Sequence, residues 1–222
     1  MHHRKPEFCA IARECGEKLR IAFGTEQPVL TLAASGTGAM VAAVTNLFAP
    51  GEEVIVLQAG KFAERWTKIA ESRNLTVHVV SIPWGEAASP ERLRAALAEH
   101  PGAKGVLVQL SETSTGVMHP IRELAEIVRN TDALMVVDGI SGVLIAPCPM
   151  DEWGIDCLVT GSQKGVMLPP GLSFIALSER AWKKTETVTP GCFYFNLTKE
   201  RAQQALGQTC FTPPVSLIVG LK

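Results

Sequence analysis

The first candidate for chemistry in this sequence is a lysine in a glycine-containing segment. Lys164 lies in TGSQKG (residues 160–165), which directly follows an apolar run. A primary amine at the end of a strand, among small neighbours, has room to enter a cleft and can form a Schiff base with an aldehyde cofactor. Taken alone, the segment is more simply explained as a turn that carries a surface lysine.

A carboxylate ends another apolar run, 26 residues before that lysine: Asp138 lies in VVDG (residues 136–139). Open α/β sheets bind ligands at the carboxyl ends of their strands, and a buried aspartate there needs a cationic partner. The protonated nitrogen of a pyridine ring would serve, and the pairing makes such a ring a better electron acceptor. A metal-binding or helix-capping aspartate is the alternative.

A third segment has the residue types that bind phosphate. ASGTGAM (residues 34–40) joins an apolar run to an apolar helical stretch. Its glycines let the backbone approach an anion closely, and helix-start amides with the Ser35 and Thr37 hydroxyls can bind a phosphate. The segment matches neither a Walker loop nor a GxGxxG fingerprint. By itself it is weak evidence, since many strand-to-helix turns contain glycine.

These three segments need a scaffold, which the pattern of apolar runs predicts. Short runs rich in β-branched residues recur, several apolar on both faces, as is typical of strands buried between helical layers. They are Pro28–Ala33, Glu53–Gln58, Thr76–Ile82, Gly105–Leu110, Leu134–Asp138, Asp156–Thr160 and Leu172–Leu177. Helical segments are predicted between them at Gly38–Phe48, Lys61–Arg73, Pro90–His100 and Pro120–Asn130, and an apolar helix begins at Val215. The alternation predicts an α/β fold with a mostly parallel seven-stranded sheet and helices on both faces.

Composition limits the class of protein. The 222 residues are 46% hydrophobic and 19% charged, with a formal net charge of -1. These values give no electrostatic footprint for nucleic acid or an acidic membrane surface. No apolar run approaches membrane-spanning length, and no signal peptide is recognisable, so we predict a cytoplasmic protein. We interpret the six cysteines as reduced thiols and His2-His3 as a solvated terminus, and we predict no metal site.

In their order and spacing, these segments resemble the class V aminotransferases of the fold-type I family, which depends on pyridoxal 5′-phosphate (PLP). The resemblance spans nearly the whole chain and lies near the alanine–glyoxylate and serine–glyoxylate (serine–pyruvate) enzymes. It is carried by SGTG (35–38), ETSTGV (112–117), VDG (137–139) and GSQK (161–164) with PPG (169–171). It implies PLP as cofactor and a single domain, residues 1–222, with the three-layer α/β/α architecture of the PLP-dependent transferase large domain.

The resemblance also implies roles for individual residues. Lys164 would form the Schiff base and move the substrate proton, and Asp138 would pair with the pyridine nitrogen. The other cofactor contacts it implies are Ser35, Gly36 and Thr37 with Gln163 at the phosphate, Phe62 on the ring face, and Thr113 at the phenolic oxygen.

A further implied contact comes from a neighbouring subunit. Gln208, Thr209 and Thr212 match a segment that reaches the phosphate of the other chain, which implies a homodimer with shared sites. Simpler interpretations stay open for three positions. Phe62 could pack in the core, Thr113 could be a turn hydroxyl, and Thr212 could merely precede a proline turn.

The implied reaction is ping-pong transamination between a small amino acid, alanine or serine, and a 2-oxo acid, glyoxylate or pyruvate. Phe62 and Gln163 stand where desulfurase relatives usually carry histidines, which favours transamination over sulfur transfer. Family members are longer than this chain, so we expect a fragment without the small C-terminal domain and its carboxylate-binding arginine. The alternative is a non-catalytic or degenerate aminotransferase-fold subunit of the soluble-hydrogenase-associated type, acting through protein interaction.

Overall fold

A computed structural model describes all 222 residues and contains nine strands. In chain order they are β1 Val29–Leu32, β2 Glu53–Gln58, β3 Thr76–Ser81, β4 Gly105–Gln109, β5 Ser111–Glu112, β6 Val117–Met118, β7 Leu134–Asp138, β8 Cys157–Gly161 and β9 Ser173–Leu177. Strands β5 and β6 form a separate hairpin, and the other seven form one sheet in the order β1-β9-β8-β7-β4-β2-β3. Within this sheet only β9 runs antiparallel to the other six strands, so the predicted mostly parallel seven-stranded sheet is confirmed.

Nine helices connect and cover the strands. They are α1 Pro6–Phe23, α2 Gly36–Leu47, α3 Ala63–Ser72, α4 Pro90–Glu99, α5 Ile121–Val128, α6 Met150–Trp153, α7 Glu179–Thr187, α8 Leu197–Ala205 and α9 Val215–Leu221. Side chains cap several of them at the first turn, where backbone amides lack partners within the helix. Ser89 Oγ accepts from the Arg92 amide at 3.1 Å, and Ser178 Oγ accepts from the Ala181 amide at 3.1 Å.

The core lies in two layers, one on each face of the sheet. Alternate side chains of a strand point to opposite faces. On β7, Met135 and Val137 join the cluster that contains α1, α4 and α5, whereas Leu134 and Val136 join the cluster that contains α2, α3 and α7. The strands β4, β7, β8 and β9 are therefore buried on both faces, which explains their near-continuous apolar sequences, whereas the edge strand β3 is partly exposed. The two layers confirm the three-layer α/β/α architecture.

Predicted and observed elements differ most at the helices. The strands β2 and β7 have the predicted bounds, and the predicted helix at Val215 is present as α9. The 18-residue helix α1 was not predicted, nor were α6, α7 and α8. Helix α1 carries many charged residues, and its buried positions, such as Cys15, Leu19 and Phe23, recur at helical spacing that is hidden among them. None of the helices combines the length and the apolar character needed to cross a bilayer.

Candidate active site

Loops at the carboxyl edge of the sheet surround a polar cleft of about 210 Å³. The loops follow β1, β2, β4, β7 and β8, whose carboxyl ends all reach this edge. The residues that line the cleft are Ser35, Gly36, Thr37, Phe62, Arg65, Ser111, Thr113, Asp138, Ile140, Ser141, Gln163 and Lys164. All eight residues predicted from the sequence to contact a cofactor within one chain are therefore brought together.

Asp138 is the buried acid of this cleft. It is the last residue of β7 and is only 5% exposed. Its Oδ1 accepts a hydrogen bond of 2.8 Å from the Ile140 amide. Burial raises the pKa of Asp138 from 3.8 to about 6, although the Ile140 amide, the Gln109 amide and the Arg65 charge favour the ionised form. The carboxylate has no salt-bridge partner, so an uncompensated negative charge lies at the cleft.

The amine of the cleft comes from the loop after β8. The buried Ser162 holds this loop, since its Oγ donates to the Pro169 carbonyl at 2.7 Å and accepts from the Leu172 amide at 3.2 Å. These bonds to a return segment fix the backbone beside Lys164. The Lys164 side chain is exposed and lines the same cleft as Asp138. A nucleophilic amine and a buried carboxylate are thus set around one space.

The third side of the cleft is the start of α2. Gly36 is the first helical residue, and Ser35 precedes it without making a side-chain capping bond. A Cβ on Gly36 would lie 2.5 Å from Ile140 Cδ1, so a larger residue here would have to displace the Ile140 side chain that lines the cleft. The Gly36 and Thr37 amides have no partner within the helix, and with the free Ser35 hydroxyl and the Thr37 side chain they form a site suited to an anion.

Phe62 is held in the cleft by a buried carboxylate from the β5–β6 hairpin. Glu112, which is fully buried, accepts from the amides of Phe62 and Ala63 at 3.3 and 2.9 Å. It also accepts from the Ser114 hydroxyl at 2.6 Å, and that hydroxyl in turn accepts from the Lys61 amide at 3.0 Å. A negative charge at the start of α3 is stabilised by the helix dipole. Glu112 therefore fixes the start of α3 and, with it, the aromatic ring.

Two hydroxyls form a pair on the remaining side. Thr113 Oγ1 donates to Ser141 Oγ at 2.7 Å. Hydroxyl hydrogens rotate to suit their partners, and a pair of hydroxyls always keeps one hydrogen for a third group. The pair can therefore donate to an oxygen placed in the cleft, which is the contact predicted for Thr113.

Two residues in or beside the cleft, Arg65 and Gln109, were not predicted from the sequence. Arg65 lies one helical turn after Phe62, and its Nη1 donates to Thr37 Oγ1 at 2.9 Å. Gln109 pairs with Asp138 across β4 and β7, and both polar atoms of its buried amide lack a hydrogen-bond partner of normal geometry. The spacing of Phe62 and Arg65 on one helix face was a usable signal for Arg65. Gln109 gave no such signal, because only the strand register brings it beside Asp138.

Three predicted residues lie away from this cleft. Gln208 and Thr209 line a separate cavity of about 270 Å³ beside α1 and α8, and Thr212 is exposed. Gln208 accepts from Arg4 Nη1 at 3.4 Å, and Thr209 Oγ1 donates to the Phe211 carbonyl at 2.6 Å. These residues contribute nothing to the cleft of their own chain, so their contact with a neighbouring subunit stays a prediction.

One histidine cluster lies at the opposite edge of the sheet. The rings of His78 and His100 stack at a centroid distance of 3.5 Å and an interplanar angle of 11°, and His78 Nε2 is 3.0 Å from Glu53 Oε2. Imidazole binds metals through lone pairs in the ring plane. Nearly parallel rings cannot direct two such lone pairs at one ion, so this arrangement is not that of a metal centre.

Comparisons with known proteins agree over the whole chain. A model of the family described as aminotransferase class-V matches residues 1–222. The soluble hydrogenase small subunit of Synechococcus sp. (strain PCC 6716) is 40% identical, over 99% of this chain and 58% of that protein. The structure of alanine–glyoxylate aminotransferase from Nostoc sp. has a TM-score of 0.95 at 31% identity, over 100% of this chain and 59% of that one. The structure of the aspartate aminotransferase of subgroup IV from Thermus thermophilus has a TM-score of 0.93 at 38% identity, over 100% of this chain and 62% of that one.

The cleft residues fit PLP, on which this family depends. The fit is tested by groups that the chain itself leaves unsatisfied. The buried Asp138 carboxylate has no cationic partner, and a protonated ring nitrogen is such a partner. The start of α2 offers amides and hydroxyls to an anion, and Lys164 offers an amine to an aldehyde.

The chain spans less than two thirds of the length of each of the three proteins above. Within that span the family model covers every residue of this chain, and the two solved structures superpose on it with TM-scores of 0.93 and 0.95. On the family match over residues 1–222 and on these structural likenesses, the chain belongs to the class V aminotransferase family.

Proposed function

We propose that this chain binds PLP covalently through Lys164 and transfers an amino group from a small amino acid to a 2-oxo acid. The observation that carries the proposal is that a buried carboxylate without a cationic partner, Asp138, and an exposed amine, Lys164, line one cleft. Residues that serve only structure do not need this combination, because a buried charge is costly when it is unpaired.

PLP supplies an aldehyde that bonds to an amine and a ring that accepts electrons from the substrate α-carbon. Lys164 Nζ would be the amine that holds this aldehyde. Once a substrate amine had replaced it, the free Nζ would be the group that moves the proton of the substrate α-carbon. The Ser162 bonds to Pro169 and Leu172 keep the Lys164 loop in place during this exchange.

Asp138 would hold a proton on the ring nitrogen. Its pKa of about 6 means that most of the carboxylate is ionised at pH 7 to 8 and ready to accept a cationic partner. Ser35, Gly36 and Thr37 at the start of α2, with Gln163, line the cleft and would hold the phosphate. Phe62 would pack against the ring, and the Thr113–Ser141 pair would donate to the phenolic oxygen.

A spectroscopic experiment tests the covalent step. PLP is added to the purified chain, the visible absorption band is recorded, the bond is reduced with borohydride, and mass spectrometry locates the modified lysine. We expect one modified site, at Lys164. The Lys164→Ala variant should give no band, whereas Lys183→Ala, which removes an exposed lysine of α7, should behave like the unchanged chain.

Absence of a band in the unchanged chain, or modification spread over several lysines, would overturn the proposal. It would instead support the alternative that the chain is a non-catalytic subunit. That alternative has one specific observation in its favour, the 40% identity to a protein named as a soluble hydrogenase subunit. It does not account for a buried carboxylate and an amine around one cleft.

The substrates are proposed from the relatives. We propose alanine or serine as donor and glyoxylate or pyruvate as acceptor, since the Nostoc structure is named as an alanine–glyoxylate enzyme. Alanine and glyoxylate incubated with the PLP-loaded chain should give pyruvate and glycine in equal amounts. Aspartate belongs in the same panel, because the Thermus structure is named as an aspartate aminotransferase. Faster reaction with aspartate would overturn this choice of donor.

We also propose that residues 1–222 form the PLP-binding large domain of a longer aminotransferase and that the active form is a homodimer. The resemblance assigns Gln208, Thr209 and Thr212 to the phosphate of the neighbouring chain, and all three lie outside the cleft of their own chain. Sedimentation velocity should give the mass of a dimer. Thr212→Ala should weaken PLP binding in the dimer, and an unchanged affinity would remove that residue from the site.

A further inference from the structure

Arg65 contacts two of the residues assigned to PLP. It lies on α3, one turn after Phe62, and its guanidinium carbon is 5.1 Å from the centre of the Phe62 ring. Its Nη1 donates to Thr37 Oγ1 at 2.9 Å. Apart from Lys164, it is the cationic side chain of the cleft. One arginine therefore joins α3, the ring-stacking position and the start of α2.

The bond to Thr37 decides which way that hydroxyl can act. A hydroxyl has one hydrogen to donate and two lone pairs that accept. Because an Arg65 N–H occupies a lone pair, the Thr37 hydrogen stays free to donate elsewhere. Thr37 lies in the first turn of α2, where free amides already favour an anion. The arginine thus presets Thr37 as a donor to a phosphate oxygen.

The contact with Phe62 restrains the ring. A guanidinium group over an aromatic face is attracted by the electrons of the ring, more strongly where water is partly excluded. Both side chains are half-buried, and the Phe62 amide is bonded to Glu112. Phe62 is therefore held from its backbone by Glu112 and from its side chain by Arg65.

We infer that Arg65 is a positioning residue for PLP, which acts by orienting the Thr37 hydroxyl toward the phosphate, while its contact with the Phe62 ring holds the guanidinium in place. The inference rests on the proposed function, since it assigns Thr37 to the phosphate. It differs from a direct contact between Arg65 and the phosphate, in which the arginine would contribute independently of Thr37.

A double-mutant cycle separates these two cases. Dissociation constants for PLP and for pyridoxal, which lacks the phosphate, are measured by absorbance for the unchanged chain, Arg65→Met, Thr37→Val and the double variant. Arg65→Met and Thr37→Val should each weaken PLP binding about tenfold, the effect of one hydrogen bond to a charged group. The double variant should be little weaker than either single variant. Pyridoxal binding should change about twofold or less.

Two further variants test whether a loss of PLP affinity comes merely from a destabilised fold. Lys68→Met removes an exposed charge from the same helix and should bind PLP like the unchanged chain. Arg65→Lys keeps the charge but not the planar fork of donors, so it should recover part of the lost affinity while the unfolding temperature stays close to that of Lys68→Met. Partial recovery at equal stability is a result that a merely structural arginine would not give.

The outcomes distinguish a failure of the Arg65 positioning role from a failure of the proposed PLP binding. Failure of the unchanged chain to bind PLP overturns both. Normal PLP binding with no loss in Arg65→Met overturns the positioning role alone. Additive losses in the double variant, or equal losses for PLP and pyridoxal, also overturn it, because the effect would then not pass through Thr37 to the phosphate.

Discussion

Two buried aspartates lie on neighbouring parallel strands, one at the carboxyl ends of the strands and one at their amino ends. The chain provides them with very different hydrogen-bond and charge partners. Asp138 ends β7, and Asp156 immediately precedes β8, which runs parallel to it. They are 5% and 4% exposed. Burial alone therefore does not separate a functional carboxylate from a structural one.

Asp156 is surrounded by donors from its own chain. Its Oδ2 accepts from the Met135 amide at 2.8 Å and from Arg180 Nη2 at 2.6 Å. Its Oδ1 accepts from the Ser178 hydroxyl at 2.8 Å and from Arg180 Nε at 3.2 Å. A carboxylate with a bidentate arginine and two further donors has no need of a ligand.

Asp138 accepts one clear hydrogen bond, from the Ile140 amide, and lies beside the unpartnered Gln109 amide. Its charge is the one that the chain leaves for another molecule to neutralise. The comparison teaches that a functional site is recognised by the buried polar or charged groups that the folded chain leaves without partners. Proteins tolerate such groups mainly where their function requires them.

The largest expected loss of stability in this comparison comes from breaking the ion pair between Asp156 and Arg180. Asp156→Ala should lower the free energy of unfolding by about 3 to 5 kcal/mol, because it leaves the Arg180 charge and the Met135 amide without their partner. Urea unfolding measures the change. Asp132→Ala, which removes an exposed aspartate nearby, should change stability by less than about 0.5 kcal/mol. A similar result for the two variants would break the contrast between the aspartates.

Asp138→Asn should instead raise the free energy of unfolding. In the PLP-free chain the Asp138 pKa is raised from 3.8 to about 6, so the folded state binds the proton more tightly than the unfolded state. Stability therefore falls as pH rises from about 4 to 6 and stays low above that range. Asparagine never ionises, so the variant should be more stable than the unchanged chain by about 3 kcal/mol at pH 8 and by about half of that at pH 5.

Unfolding of both proteins at pH 5 and pH 8 measures this difference. The matched variant is Asp156→Asn, which should be less stable than the unchanged chain at both pH values, since it weakens the Arg180 pair. A destabilised Asp138→Asn at pH 8 would contradict the view that the Asp138 charge is uncompensated. Added PLP should narrow the difference at pH 8, because it should bind more tightly to, and so stabilise more, the chain that keeps the carboxylate.

The contrast also shows how much of the fold and site the sequence could predict. Most strands could be predicted from apolar runs, because a strand that is buried on both faces needs apolar residues at successive positions. Asp138 could be predicted because it ends such a run, and the Lys164 segment and the loop at residues 34–40 because each follows one. Their assembly into one cleft followed from the common edge at which parallel strands end.

Long-range partners could not be predicted. Arg180 lies 24 residues after Asp156 on the unpredicted helix α7, and Arg65 lies 28 residues after Thr37. Their contacts depend on the packing of helices onto the sheet, and no local pattern encodes it. Glu112 lay within a segment that carried the family resemblance, but its bonds to the start of α3, 49 and 50 residues away, appear only in the folded chain.

Glu112 gives the smallest predicted effect and sharpens the comparison, since it is a carboxylate near the cleft that the chain does satisfy. Glu112→Gln keeps the shape but replaces one acceptor oxygen with an amide donor that faces the Ala63 or Ser114 donors. The free energy of unfolding should fall by about 1 to 2 kcal/mol, without the gain at pH 8 expected for Asp138→Asn. Urea unfolding at both pH values provides the measurement.

The matched control is Glu123→Gln, which changes an exposed glutamate in the first turn of α5 and should cost less than about 0.5 kcal/mol. If Glu112→Gln instead stabilised the chain at pH 8, proximity to the cleft rather than the lack of partners would explain the behaviour of Asp138. If it destabilises as expected, then of two buried carboxylates at the same edge of the sheet only the unpartnered one gains from losing its charge. That result would identify the missing cation, and not burial, as the feature that marks the site.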